Sequence, residues 1–306
     1  MKSVKLKYTV DVSDGTNYVV LNLPSGLTIQ QRKMHRSCLN YTINGGYVYD
    51  TNNDVKVKIG VAPDNWVSRA AIRRVRNAWL KQHNEVLKIN PSLKPKWHDF
   101  KMMLTEGQAA GTTVTYNVPE DIADVNLNHD DRGITFSQFV TEGPSNHPTN
   151  KDEFTTHLLG STIGTSPNFT SVGALQSWVQ SRPDLEPVTT ISSAEADAIE
   201  EDPFNVLFDD GKNQNEVIEN FINADEGDGD EEGDRFPMYH PRLPPMSVME
   251  VAAAFTTEAN PISYFTGFNA LLGQVWLRID AIVPGLGDAT GKVDIVFDVN
   301  PRGETI

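Results

Sequence analysis

Strict alternation of apolar and polar residues at both ends of the chain restricts what it can fold into. Val4, Leu6, Tyr8, Val10 and Val12 alternate with Lys5, Lys7, Thr9 and Asp11. Toward the other end, Val275, Leu277, Ile279, Ala281 and Val283 alternate with Trp276, Arg278 and Asp280, and Val293, Ile295, Phe297 and Val299 repeat the pattern. A period of two places successive side chains on opposite faces of an extended strand, so each segment reads as a strand with one face buried. Val55, Val57, Ile59 and Val61 do the same around Lys56 and Lys58. Phe100, Met102 and Leu104, then Val114, Tyr116 and Val118, give shorter versions. Less regular stretches at 18–23, 39–43, 46–50, 134–140, 154–159 and 247–255 raise the count to roughly ten to twelve strands, separated by Gly-, Asn-, Asp- and Pro-rich loops.

One long segment is helical instead. Pro63-Asp64-Asn65 supplies a cap for a helix from Trp66 to about Ile89, where Asn90-Pro91 stops it. Ile72, Val75, Trp79 and Val86 have helical spacing, and Arg69, Arg73 and Arg76 share a second face. Trp66, Trp79 and Trp97 read as core. A shorter helix is expected over 171–180, closed by Arg182-Pro183, and a third over 216–222. Many strands, few helices and strands at both ends predict a mainly β fold, a sandwich or jelly roll spanning 1–306 as one domain. Its helical insertion is 64–90, and 160–245 is an acidic excursion between early and late strands. A single jelly roll needs about eight strands and a double one about sixteen, so the count favours the single form, with the double as the alternative.

Charge is distributed very unevenly. From Glu195 to Asp234 there are sixteen Asp or Glu residues and one lysine, Lys212, so this segment alone carries the −15 of the whole chain. The first 101 residues carry 17 Lys or Arg against 7 Asp or Glu, a net of +10. Charge blocks of this kind usually mark solvated or interacting segments. Two basic clusters are candidates for polyanion or subunit contact: Arg32, Lys33 and Arg36 in the stretch LTIQQRKMHR, and Arg69, Arg73, Arg74 and Arg76 on the helix. A solvated face or ion pairing is the alternative for the helix. The pI of about 4.8 argues against a general nucleic-acid binder.

Enzyme chemistry finds no motif. The seven histidines, at 35, 83, 98, 129, 147, 157 and 240, stand in no metal-ligand spacing. His98-Asp99 are adjacent, and neighbours on a strand point to opposite faces. Phosphate-binding loops and the G-x-S-x-G elbow are absent. Cys38, the single cysteine, has no nucleophile motif, excludes an intrachain disulfide and points to synthesis in a reducing compartment. Asp228, Asp230, Glu232 and Gly233 resemble the start of a calcium loop, but its twelfth position would be Tyr239 where a bidentate Glu is needed. Calcium is thus a candidate ligand only in outline. Mean hydropathy of −0.38, no apolar run of helical membrane-spanning length and no apolar leader block predict a soluble chain without a transmembrane segment.

Five stretches read together carry a resemblance: LTIQQRKMHRSCLNYTI (27–43), VAPDNWVSRAAIRRVRNAWLKQHNEV (61–86), KWHDFKMML (96–104), THLLGS (156–161) and LFDDGKNQNEVIENF (207–221). In this order, over roughly residues 20–225, the chain resembles the major capsid proteins of uncultured marine circular single-stranded DNA viruses. The family has a P-x-x-W helix, a W/Y-H-D-F-K strand and an acidic D-E-G…I-E-N segment. Gln30-Gln31-Arg32 stands here where an Asn-Arg pair is more usual. The resemblance implies a non-enzymatic jelly-roll protein of the virion, made in the host cytoplasm and assembling in many copies into an icosahedral shell. Viral DNA inside and minor virion proteins would be its other partners. Unlike many such proteins it lacks an Arg-rich N-terminal arm, since Lys2, Lys5 and Lys7 belong to a strand. The basic clusters are then expected to face neighbours or the interior, and 195–234 to face outward or bridge subunits. The alternative is a carbohydrate-binding β-sandwich or a phage spike or fibre module.

Overall fold

The computed structural model describes residues 3–12, 16–50, 55–93, 99–116, 136–142, 151–164, 169–180, 250–256, 261–281 and 291–306. In chain order these form β1 (Val4–Val12), β2 (Thr16–Asn22), α1 (Leu23–Gln31), β3 (Leu39–Asp50), β4 (Val55–Val61), α2 (Trp66–Ile89), β5 (Met103–Thr105), α3 (Glu106–Ala109) and β6 (Val114–Tyr116). They continue with β7 (Phe139–Glu142), β8 (Lys151–Leu159), β9 (Ser171–Gly173), α4 (Ala174–Gln180), β10 (Glu250–Thr256), β11 (Ile262–Ala270), β12 (Gln274–Ala281), β13 (Gly291–Val299) and β14 (Glu304–Thr305). The fold is mainly β, with curled antiparallel sheets as in a β-sandwich.

The first sheet runs β1-β13-β3-β11, with β14 added beside β3, and the second runs β10-β4-β12-β2-β6. Pairing is nested: β1 with β13, β2 with β12, β3 with β11 and β4 with β10, all antiparallel. Between the sheets lie the residues that the alternation selects: Leu6, Tyr8 and Val10 from β1, Val57 and Ile59 from β4, Leu277 and Ile279 from β12, and Ile295 and Phe297 from β13. Each such side chain contributes roughly 1.5–3 kcal/mol by leaving water. The one polar atom Tyr8 takes inside is satisfied, because its hydroxyl donates to the Asn22 carbonyl at 3.0 Å.

The stretches 39–43 and 46–50 belong to one strand. Against β13 the register of β3 slips between the Asp298–Gly45 and Val299–Ile43 pairs. The slip flips which residues face inward, so Tyr41 and Ile43 are buried before it and Val48 after it. That flip is why the sequence reads as two strands.

A second apolar cluster packs on the outer face of the second sheet, where Val20 and Trp276 point away from the first core. Val67, Ala71, Ile72, Val75 and Ala78 of α2 pack there with Phe100, Met102, Leu104, Phe139, Phe154, Leu158 and Leu175, and with Val20, Ala62 and Leu271 from the sandwich itself. A third small sheet, β5-β8-β7 with β9 beside β8, supports it. The Gln82 amide ties α2 to β7 by donating to the Val140 carbonyl. The apolar stripe of α2 ends earlier than its spacing suggests: Val86 is 46% exposed, and Trp66, expected in the core, is 52% exposed at the first turn. Trp97 lies outside the described residues, and Trp79 is half-buried on Phe100. Other differences are local. Phe100, Met102 and Leu104 are buried as their alternation requires, but ladder pairing starts only at Met103. The 171–180 segment opens as β9 before becoming α4. The helix expected at 216–222 lies outside the described residues.

Asn65 caps α2, its side chain accepting from the Ser68 amide at 2.8 Å. Asn65→Ala should cost about 1 kcal/mol, read as a lower urea midpoint with an unchanged slope.

Candidate polyanion interface

Two elements set the basic residues. At the end of α1, Arg32 takes a left-handed backbone conformation, with φ of 50°, and turns the chain away from the helix axis. The turn is pinned from inside. The Thr28 hydroxyl donates to the Pro24 carbonyl at 2.7 Å and accepts from the His35 amide at 3.0 Å. His35 also pairs through its ring with the Gln31 side chain at 3.0 Å. Arg32, Lys33, Met34 and Arg36 are thereby left exposed. Just beyond, the Ser37 amide donates to Asp99 Oδ2 at 2.9 Å, and the Tyr41 hydroxyl donates to the Arg36 carbonyl at 2.8 Å.

The arginines of α2 divide by role. Arg69 makes a two-pronged ion pair with Asp64, at 2.6 and 2.8 Å, and Asp64 Oδ2 also accepts from Asn40 Nδ2 at 2.9 Å. The Arg69 hydrogen bonds hold the Asp64 carboxyl below the usual carboxylate range. Arg74 points elsewhere and donates to the Ser177 carbonyl at 2.9 Å, tying α2 to α4. Arg73 is exposed and makes no hydrogen bond among the described residues. Arg76 is half-buried and close enough to oppose the rise in the Cys38 pKa. The helix stripe therefore runs alongside residues 36–40, with Arg69 joined to Asn40 through Asp64 and Arg76 beside Cys38.

The two clusters approach one another around Cys38 and Asp99, with Arg76 acting on Cys38 and Arg36 on Asp99. Burial raises the Asp99 carboxyl above the usual range, while the Ser37 amide, Lys101 and Arg36 pull it back. Asp99 is thus a half-buried carboxyl with Lys101 and Arg36 near it. It lines an open cavity of ≈ 150 Å³ with Ser25, Thr28, Met34, His35 and Lys101. Burial holds His35 below its ordinary pKa, and Lys33 adds to the effect. Cys38 is protonated at neutral pH, its thiol pushed up to about 12 by burial, with Asp99 reinforcing and Arg76 opposing. A buried thiol of that pKa is a poor nucleophile.

Of the residues selected from sequence, Arg36, Arg73 and Arg76 therefore line one strip, continued by Arg32 and Lys33 on the loop. Arg69 and Arg74 instead fasten the fold internally, a distinction that i, i+4, i+7 spacing could not make. Asp99 and Lys101 complete the strip and were masked in the sequence by the apolar alternation around them. Asp228, Asp230, Glu232, His98, His129, His147 and His240 lie outside the described residues. Among the described residues, no group of three His, Cys, Asp or Glu side chains could hold a metal ion, and no helix is long and apolar enough to cross a membrane.

A buried Ser–His pair in the third sheet has a different character. His157 is fully buried, with Nδ1 2.8 Å from Ser171 Oγ and Nε2 2.9 Å from the Ser161 carbonyl. A carbonyl only accepts, so Nε2 carries the proton and Nδ1 accepts from Ser171. Ser171 is equally buried, so the pair is closed to substrate. Burial holds His157 below its ordinary pKa. The unfolded chain, with an ordinary histidine near about 6.5, then binds more protons than the folded one just below that pH. Stability should be complete above about pH 6.5, fall as the pH drops below it, and level off below the folded pKa. Urea unfolding between pH 8 and 5 measures that slope, and His157→Gln should flatten it.

These features define a two-sheet β-sandwich with a helix-bearing second cluster packed on the outer face of its second sheet, and with a cationic strip along one side. No protein-family model, curated protein or solved structure matches the chain.

Proposed function

We propose that this chain is a structural shell protein, a viral capsid subunit built on a single jelly roll. The observation that carries the reading is the nested pairing of β1·β13, β2·β12, β3·β11 and β4·β10. A long antiparallel hairpin rolled upon itself generates this nesting, with successive strands falling in alternate sheets, which is how a jelly roll is built. The joins β13·β3 and β12·β4 agree with that rolling. A double form would repeat the set, and the described residues hold one. The resemblance of the 27–43, 61–86 and 96–104 stretches to marine single-stranded DNA virus capsid proteins points the same way. So does the cationic strip, which suits phosphate contact on an inner surface. In this reading the chain is not an enzyme. It works in the virion with many copies of itself, enclosed DNA and minor virion proteins.

Negative-stain electron microscopy with light scattering on the purified chain tests this. Closed particles of uniform diameter support the shell reading, and a monomer across salt and calcium conditions overturns it. A second reading, a carbohydrate-binding sandwich, draws support from Tyr264, 78% exposed beside Tyr47 on the outer face of the first sheet. Binding on a glycan array by a protein that stays monomeric would favour that reading.

A further inference from the structure

We propose that β11 is a self-pairing edge, by which one copy of the chain extends its first sheet into that of a second copy. The inference rests on the shell reading and names one of the contacts it needs.

A sheet edge presents unpaired N–H and C=O groups to any strand that approaches. Folded chains blunt such edges with charges, prolines, bulges or shortness. Among the described residues, the sandwich has four edges: β1 and β11 in the first sheet, β10 and β6 in the second. Strand β1 carries Lys5, Lys7 and Asp11. Strand β10 opens with Glu250 and is bulged between Val251 and Ala253. Strand β6 has three residues. Strand β11 has none of these protections. Its nine residues, ISYFTGFNA, include no charge and no proline, and its register against β3 has no slip.

The outer face beside this edge is a second, separate observation. Pairing sets Lys7, Val296, Tyr47 and Tyr264 in one row across the sheet, and Thr9, Asp294, Tyr49 and Ile262 in the next. Charge falls on the β1 and β13 side, where Lys7 and Asp294 pair at 3.1 Å. Aromatic surface falls on the β3 and β11 side. Tyr264 is 78% exposed, tilted against Tyr47 with ring centroids 6.0 Å apart. Tyrosine gives large contact area for little lost side-chain freedom, which suits it to an interface.

A second copy fits this edge for a symmetry reason. Two antiparallel strands are related by a two-fold axis, so β11 can pair with its own copy without any other surface being required. Because β11 is uncharged, no like charges meet across that axis. One nine-residue edge and its tyrosines bury less than the roughly 1,200–2,000 Å² of a stable pair. The contact is therefore weak alone and gains strength by repetition in a closed assembly.

Thr266→Lys, on an exposed β11 position, places two lysines near the axis and should weaken association on the order of tenfold or more. Sedimentation velocity over a concentration series reads this, with circular dichroism and the unfolding midpoint unchanged. In the unmodified chain, the β11 amides not bonded to β3 should exchange more slowly as protein concentration rises. Should Thr266→Lys fail to fold, Tyr264→Lys carries the same test. Association equal to the unmodified chain in both variants overturns the β11 contact and leaves the shell reading standing. An unmodified chain that stays monomeric overturns both. Amide protection independent of concentration means that the chain's own segments cover the edge, and overturns the proposal.

Discussion

Gly46→Ala should not yield a folded protein. A Cβ on Gly46 would lie 2.1 Å from the Val296 carbonyl oxygen and 2.4 Å from the ring of Phe265. Neither neighbour can give way. Val296 is fixed by the β13 ladders on both sides, and Phe265 is wedged against Phe297 and Phe268. The loss should exceed about 4 kcal/mol, a large share of what a domain this size has to lose. Circular dichroism and a thermal scan of the soluble fraction measure it. Gly111→Ala is the control: with φ of +73° and nothing within 4 Å of the added carbon, it should cost only about 1 kcal/mol. Equal losses at both positions would mean that the Val296 backbone and the Phe265 ring yield to the added carbon, and would overturn the close-approach argument.

Neutralising the strip should remove most single-stranded DNA affinity. In Arg36→Gln/Arg73→Gln/Arg76→Gln, three cations are lost. Each phosphate contact on a single strand contributes about 0.7 to the slope of log K against log salt, so the slope should fall by about 2. Fluorescence anisotropy with a labelled oligonucleotide at several salt concentrations gives both affinity and slope. Arg69→Gln serves as a contrast, because Arg69 is already paired with Asp64 and should change the slope little. An unchanged slope in the triple variant would sink the DNA-facing assignment and reassign the strip to subunit contact.

Much of the sandwich was legible because burial on one face imposes a period of two. Strands β1, β4, β12 and β13 announce themselves in that way, and α2 begins and ends where its Asn65 cap and the Asn90-Pro91 stop dictate. Strand β11 was not legible, and the reason is physical. With Tyr264 outward, Phe265 inward and Gly267 in place of a side chain, it has aromatic character on both faces and no alternation to read. Helix α1 was hidden by Pro24 and Gly26, although Pro24 at its start is compatible with a first turn capped by Asn22. The strip was half legible. Sequence places Arg36, Arg73 and Arg76 among basic residues, but only the fold brings the 32–36 loop to the side of α2 and diverts Arg69 and Arg74 into internal bonds.

Nesting also governs when the chain can fold. The Thr9 hydroxyl reaches Asp294 at 2.5 Å across 285 residues of sequence, and among the described residues β1 has no other sheet neighbour than β13. Strand β1 must therefore wait for β13. Local contacts in α2 and the second cluster can form early, whereas closure of the first sheet pays the loop entropy of almost the whole chain. Synthesis at about 5–20 residues per second leaves β1 unpaired for on the order of 15–60 seconds. On the proposed β11 contact, assembly waits for β13, because the sheet that β11 edges is not closed until β13 has been made. The topology thereby sets an order for any such joining: the first sheet closes before its free edge is complete.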